Sequence, residues 1–336
     1  MESSLFSAIM NTPDNRQRAG IAGVGHIGRF HTRHLSKHSD WQCAGIFDPD
    51  NVRAQTVAEE FGVPLMNSAE QLIDVIDALF ITSPTPFHFS LAHAALTAGK
   101  HVFIEKPITS TLDEAQQLLE LAKQQGLQIQ VGHIERFNPA LLALDDMDLA
   151  PRFIEAHRLV TFVSRGLANP VVHENMIHDI DIILSLVKSP VKDVQANGVR
   201  VVSEHADIAN ARLSFENGCV ANVTASRVSL HPVRKMRIFQ PETYITIDFQ
   251  QGTTEVYSLM DSDSDSKPDQ VIPLEGTTRS IGYRNLEFDR QDAMYAEQAS
   301  FARSIQAGTT PVVSGLDGYE ALRIADIINE QLLQQT

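Results

Sequence analysis

Gly23-Val24-Gly25-His26-Ile27-Gly28 is a GxGxxG run set between a short apolar stretch at 19–22 and a segment of helical periodicity carrying Ile27, Phe30, His31, His34 and Leu35. Few folds accommodate it. The glycines allow a tight strand-to-helix turn, and backbone N–H groups at the helix N-terminus can then meet a pyrophosphate. Asp48 stands 20 residues after Gly28, at the end of a second apolar stretch at 43–47, where a carboxylate accepts hydrogen bonds from an adenosine ribose. Together they predict a βαβ dinucleotide site formed by Gly23, Gly25, His26, Ile27, Gly28 and Asp48. Asp48 also repels a 2′-phosphate, and Pro49-Asp50 brings no compensating cation, so NAD is expected rather than NADP. Arg29, the first residue after the motif, reads equally well as a solvated helix charge.

The alternation continues beyond this unit. A helix around Val52, Val57, Ala58 and Phe61 leads to an apolar stretch at 63–66. Ser68 with Gln71 opens the next helix, and strands are expected at 78–81, 102–104 and 127–131. A helix ending at Gly99 and another opened by Thr111 and Glu114 lie between them. Six strands alternating with helices predict a doubly wound parallel α/β sheet that closes near Gly132. The period then changes. A long strand at 152–162 and a helix at 173–187 precede alternating runs at 209–215, 219–227, 244–249 and 254–259, and Asn217-Gly218 is a strong hairpin signal. This second unit is expected to be α/β with an open antiparallel sheet, one face of which is left for a ligand or a partner subunit. Helices at 288–307 and 316–334 end the chain. At roughly 150 residues per domain, 336 residues suit this division: a disordered tail at 1–17, a cofactor unit at 18–133 and a second unit at 134–336 whose last helix packs back on the first.

Lys and Arg number 27 and Asp and Glu 42, a net charge of −15 that repels polyanions and argues against nucleic-acid binding. The apolar residues fall in short runs rather than in a stretch of ~20, so no membrane span is expected. Two cysteines, Cys43 and Cys219, are too few for a stapled secreted fold, and the N-terminus has an acidic second residue where a signal peptide has a basic start. A cytoplasmic protein is expected. The alternating Asp-Ser tract at 261–266 reads as a solvated loop.

Glu105-Lys106-Pro107 falls at the C-terminal end of a parallel strand, where doubly wound sheets place their ligands. A partly desolvated lysine there can serve as a general base. The helix at 173–187 carries Glu174, His178 and Asp181 at spacings of four and three, which predicts one shared face. His173-Glu174 followed by His178 is not a zinc-protease motif: the histidines are five apart and fall on different faces. No metal is expected.

These segments, with Thr82-Ser83-Pro84-Thr85-Pro86-Phe87-His88 and Gly132 with Arg136, resemble the glucose-fructose oxidoreductase, inositol dehydrogenase and rhizopine-catabolism (Gfo/Idh/MocA) family of NAD(P)-dependent oxidoreductases. The resemblance covers nearly the whole chain. It implies an N-terminal Rossmann domain and a C-terminal α/β domain whose open sheet often builds dimers or tetramers, so a homodimer or homotetramer is expected. It implies that Glu105 and Pro107 help hold the nicotinamide, that Lys106 moves a proton and that His178 contacts the reacting hydroxyl. Thr82, Ser83, Pro84 and His88 join the cofactor site. Where the family commonly has aspartate four residues before the histidine, this chain has Glu174, whose longer side chain alters its reach.

The segments 131–139, 176–181 and 224–229 resemble members that oxidise the 3-hydroxyl of UDP-N-acetylglucosamine or related UDP-sugars and feed an aminotransferase in lipid A or surface-polysaccharide synthesis. A UDP-sugar brings a pyrophosphate that needs local cations. Arg136, Arg165, Arg227, Arg234, Lys235 and Arg237 are available, and Arg136, Arg227 and, less strongly, Arg165 are expected to serve, with Asn138, Glu174 and Asp181 beside the sugar. The competing functions are a dehydrogenase of inositol, another polyol or a dihydrodiol, and an NAD-sensing regulator without catalysis. The Lys106 and His178 pair argues against the regulator.

Overall fold

The computed structural model describes residues 16–162, 169–261, 267–286 and 292–335. The chain opens with β1 (Gln17–Ala22), α1 (His26–Leu35), β2 (Trp41–Phe47), α2 (Asn51–Phe61), α3 (Ala69–Val75), β3 (Ala78–Ile81), α4 (His88–Thr97), β4 (His101–Glu105), α5 (Leu112–Gln125) and β5 (Ile129–Gly132). Five parallel strands form one sheet in the order β2-β1-β3-β4-β5. Every residue of β3 and β5 is buried, because helices cover both faces of the sheet. The expected sixth strand at 63–66 does not form. It contributes a single bridge between Ile46 and Leu65, and Pro64 has no N–H with which to continue a ladder. The Thr111 and Glu114 capping box opens α5 as its sequence requires.

A second set of elements follows: α6 (Pro139–Leu142), β6 (Phe153–Thr161), α7 (Ile177–Val187), β7 (Val191–Val199), β8 (Ile208–Phe215), β9 (Val220–Ser229), β10 (Val233–Gln240), β11 (Thr243–Asp248), β12 (Thr253–Met260), β13 (Gln270–Pro273), β14 (Ser280–Leu286), α8 (Ala293–Ala307) and α9 (Gly315–Gln334). Nine strands form a sheet in the order β13-β14-β12-β11-β10-β6-β9-β8-β7, antiparallel except where β6 meets β9. Alternate residues of β6 and β8 are buried against α7, whose Ile177, Ile180 and Ile183 face the same core. Gly218 (φ +84°) turns β8 into β9. The Asp-Ser tract beyond Asp261 and residues 1–15 of the tail lie outside the described residues. Among those described, no helix is long and apolar enough to cross a membrane.

The two late helices tie the sheets together. Phe301 of α8 joins Trp41, Phe80 and Phe103 in an aromatic cluster under β1–β4, with Phe80 and Phe103 stacked at 4.9 Å. Trp41 Nε1 donates to the Gln298 carbonyl at 2.9 Å. α9 crosses from one sheet to the other. A Cβ on its Gly318 would come within 2.6 Å of Val131 on β5, and further along the helix Gln331 exchanges hydrogen bonds with Val194 and Ala196 of β7.

One buried charge fixes the turn between β7 and β8. Asp207 accepts hydrogen bonds from the backbone N–H groups of Val201, Val202 and Ser203 at 2.7–3.0 Å and lies 3.2 Å from Arg227 Nε. Burial works against its carboxylate, yet these N–H groups and the Ser203 hydroxyl pull its pKa down to about 2. Because the folded value lies below that of the unfolded chain, Asp207 stabilises the fold fully above about pH 4, and that stabilisation is lost as pH falls towards 2. Asp207→Asn is expected to lower the melting temperature at neutral pH by roughly 5 °C or more and to flatten its acid dependence between pH 4 and 2, as read by thermal unfolding across pH. An unchanged acid profile would contradict this role.

Candidate active site

The C-terminal ends of β1–β5 face β6, β10 and the start of α7 across a cleft of about 600 Å³, whose walls include Gly25, Asp48, Lys106, His178, Arg158 and Arg234. The glycine turn forms one end. Gly23 has φ +92°, and a Cβ there would meet the Ser83 backbone nitrogen at 2.6 Å, while one on Gly28 would meet the Gly23 carbonyl oxygen at 1.9 Å. A Cβ on Gly25 would have nothing within 4 Å. Among the described residues no side chain caps the N-terminus of α1, so the N–H groups of His26, Ile27 and Gly28 present their partial positive charge to the cleft. Three glycines held for three different reasons, with bare amides above them, fit a dinucleotide pyrophosphate.

Asp48 is buried at the tip of β2 and accepts from the N–H groups of Val24 at 2.8 Å and Asp50 at 2.9 Å, which fixes the carboxylate to the glycine turn. The cation that Pro49-Asp50 lacks arrives one helical turn later: Arg53 Nη1 lies 3.3 Å from both Asp48 oxygens. Thr82 donates to the Gly23 carbonyl, and Ser83 and Pro84 line the cleft. His88 does not line it. Its ring sits between the carbonyls of Ser83 and Pro107, at 2.8 and 2.9 Å, and ties the 82–88 loop to the Glu105-Lys106-Pro107 turn, whose Lys106–Pro107 peptide is cis.

Glu105 ends β4 with its carboxylate mostly buried. Burial opposes its ionisation, but the hydrogen bond from His31 (2.9 Å) and the charge of Lys106 outweigh it and hold its pKa below the usual carboxylate range. Lys106 Nζ donates to the Glu174 carbonyl at 2.9 Å and lies 3.5 Å from the Glu174 carboxylate. Glu174 belongs to a π-turn, Val172–Met176, that precedes α7, and this turn brings its carbonyl and side chain to the lysine. His178 follows on the cleft wall. Burial first, then the charges of Lys106 and Arg158, push its pKa far below the ordinary histidine value, so it is a neutral imidazole.

The residues expected beside a sugar are distributed differently. α7 runs from the cleft into the protein, so Asp181, about 4.5 Å further along the axis than His178, meets Arg136 instead at 2.7 Å. Arg136 also reaches Asp317 on α9 at 3.4 Å and takes no part in the cleft wall. Asn138 caps α6 through Ala140 N–H and bonds Glu135 and the Phe249 carbonyl. Arg227 is a buried partner of Asp207. The expectation that these four residues gather at the substrate is corrected: each is held by a structural partner elsewhere. Arg165 lies outside the described residues.

Two arginines occupy the place instead. Arg158 on β6 and Arg234 on β10 sit directly opposite each other in the strand register. Arg158 is buried and neutralised by Asp179 (2.9 Å, two bonds) and Glu135 (2.8 Å). Arg234 is half exposed and, among the described residues, has only a long 3.9 Å approach to Glu135. Arg234 was among the available cations in the sequence, but its position required the pairing of β6 with β10. His173, the other histidine of the rejected zinc motif, pairs with Asp326 of α9 at 2.7 Å.

Comparison with known proteins follows the same lines. Residues 17–133 match the Gfo/Idh/MocA oxidoreductase family, NAD-binding Rossmann fold, and residues 155–253 match the Gfo/Idh/MocA C-terminal domain. UDP-N-acetylglucosamine 3-dehydrogenase of Acidithiobacillus ferrooxidans is 38% identical over 312 residues, covering 92% of this chain and 95% of that protein. A solved structure of that enzyme superposes with a TM-score of 0.86 at 35% identity, over 94% of this chain and 97% of the other. Myo-inositol 2-dehydrogenase of Thermotoga maritima is 26% identical over 91% of this chain and 93% of its own length. Levoglucosan dehydrogenase, solved with NADH and levoglucosan, shares the fold with a TM-score of 0.81 at 19% identity, over 96% of this chain and 98% of that one.

The glycines separate binding from folding. Gly25→Val adds a side chain into open space at φ −64°, and is expected to leave the melting temperature within about 2 °C while lowering NADH affinity at least tenfold. Gly28→Ala drives a Cβ into backbone and is expected to lower stability as well. Fluorescence titration with NADH beside thermal unfolding reads both, and equal loss of stability in the two variants would contradict the assignment.

Proposed function

Because the chain belongs to the Gfo/Idh/MocA family of NAD-binding oxidoreductases, we propose that it oxidises a hydroxyl of a UDP-sugar, the 3-hydroxyl of UDP-N-acetylglucosamine, with NAD as oxidant. The observation that carries this reading is the pairing, across one cleft, of Lys106 and His178 with the facing arginines of β6 and β10. NAD, when bound, supplies the hydride acceptor. Its pyrophosphate would be held by the amides after Gly23 and Gly25, its adenosine ribose by Asp48, and its nicotinamide end by Glu105 and Pro107.

Lys106, as the free amine, takes the proton of the sugar hydroxyl as hydride leaves the same carbon, and the Glu174 carbonyl and carboxylate hold the resulting ammonium. His178, neutral in its buried site, donates an N–H to the same oxygen and orients it. Like charges opposite each other on neighbouring strands are destabilising. Arg158 has two carboxylates to offset this, whereas Arg234 is under-neutralised, and a diphosphate with two negative charges completes the set. A free polyol has no group that requires it. The ketone formed is the substrate class of an aminotransferase, which is the expected pathway partner. The exposed face of the nine-stranded sheet, with its ladder of Phe153, Phe239, Tyr244, Tyr257 and Tyr283, is the surface that would join subunits into a homodimer or homotetramer.

Purified protein given NAD, a panel of UDP-sugars and a ketone trap is expected to form NADH with UDP-N-acetylglucosamine and not with inositols; the reverse preference would reject the substrate. Lys106→Met is expected to lower turnover by roughly 10²–10⁴-fold with NADH affinity nearly unchanged. Arg234→Ala is expected to raise KM for the UDP-sugar by roughly 10–100-fold with a smaller change in kcat, and Arg234→Lys to recover part of it. An Arg234→Ala enzyme with unaltered KM would remove the arginine from the diphosphate.

A further inference from the structure

His133 follows β5 directly and is buried, and among the described residues neither of its ring nitrogens has a hydrogen-bond partner. Its ring stands perpendicular to that of His178, with centroids 6.1 Å apart. His178 Nδ1 is likewise turned into the protein and has no partner. Burying polar atoms without hydrogen bonds is costly, and a phenylalanine would pack in the same place without that cost. Two such imidazoles side by side, one of them on the cleft wall, have complementary needs: a donor on one ring and an acceptor on the other.

We propose that His133 is a positioning residue for His178: on substrate binding, a His133 ring N–H donates to His178 Nδ1 and so fixes the tautomer that carries its proton on Nε2, towards the sugar hydroxyl. Which nitrogen of a histidine bears the proton is set by the hydrogen bond the other one makes. At a centroid separation of 6.1 Å the ring nitrogens stand beyond bonding distance, so the bond forms only when substrate binding moves the two rings closer together. Hydrogen bonds in catalytic networks commonly tighten only when substrate is bound. Both rings lose their charge to burial, so the bond joins two neutral imidazoles, and no proton is transferred between them. Without His133, the Nδ1–H tautomer of His178 is equally available, and its Nε2 would face the hydroxyl as an acceptor, competing with Lys106.

The inference rests on His178 meeting the reacting hydroxyl, and the test separates the two claims. His133→Phe keeps the ring and removes both nitrogens. It is expected to leave the melting temperature equal or higher and NADH affinity unchanged, while kcat with UDP-N-acetylglucosamine falls roughly tenfold or more at constant KM. His133→Asn restores an N–H donor and is expected to recover part of that loss. In a His178→Ala background, His133→Phe is expected to have no further effect, because the two residues act as one unit. Full activity in His133→Phe, or an additive loss in the double variant, overturns the role of His133 alone. Full activity in His178→Ala overturns the reading on which it rests.

Discussion

The carboxylate of Glu105 is the constraint around which the site is assembled. It sits mostly buried at the end of β4, and an ionised group there needs partners from elsewhere in the chain. His31 on α1 donates to it at 2.9 Å. That histidine is oriented by Gln298 of α8, whose Nε2 lies 3.0 Å from His31 Nδ1. The His31 ring packs on Phe103, centroids 5.1 Å apart, and so on the aromatic cluster that holds α8 to the sheet. β5 passes so close that a Cβ at Gly132 would lie 2.9 Å from the Glu105 carboxyl carbon and push the carboxylate from its place. Lys106 is the next residue. Its backbone position is therefore set by α1, α8, β4 and β5 together, before any contact of its own side chain.

The lysine side chain is set by the other sheet's elements. The π-turn ahead of α7 places one backbone carbonyl on Nζ, and its residue, Glu174, supplies a carboxylate 3.5 Å away. A glutamate in this position acts on the lysine rather than on His178. The extra backbone residue of a π-turn breaks the regular 3.6-residue period, so a face counted from 173 as a uniform α-helix is misjudged. Glu174 and His178 nevertheless share the cleft, whereas α7, regular from Ile177, carries Asp181 away from it to Arg136, and Asp179, not singled out by spacing, anchors Arg158.

The local features of the candidate site are legible in the sequence. The glycine turn, Asp48 and the Glu105-Lys106 pair each depend on residues adjacent in the chain or on one βαβ unit, and each borders the cleft, although Pro107 beside them does not. What the sequence does not reveal is which side chains the fold already holds with a structural partner. Arg136, Asn138 and Arg227 look like substrate groups because they are polar and near strand ends, but Asp181, Glu135 and Asp207 reach them across 3 to 45 positions of chain. Arg53 reaches Asp48 because one helical turn brings it back to the tip of β2. The facing of Arg158 and Arg234 depends on the register of β6 with β10, strands separated by four other elements in sequence, and no periodicity encodes that pairing. The stretch at 63–66 has the composition of a strand but contains Pro64, and composition alone did not weigh the missing N–H.

The overall charge of −15 acquires a different meaning once the cleft is described. A chain this acidic offers no long-range attraction to a dinucleotide or a nucleotide sugar, both anions. At physiological salt, however, fields from exposed charges decay over about 8 Å, so most of the surface carboxylates are not felt inside the cleft. What an anion meets there is local: uncapped amides at the start of α1, Arg53 beside Asp48, and Arg234 opposite a neutralised Arg158. The three lie at the walls of one cavity from which water is partly excluded, and a short charge-assisted contact in that setting outweighs many screened charges outside it. Specificity for anionic ligands is thus compatible with an acidic protein, because it is decided by a few donors whose geometry the fold has already fixed.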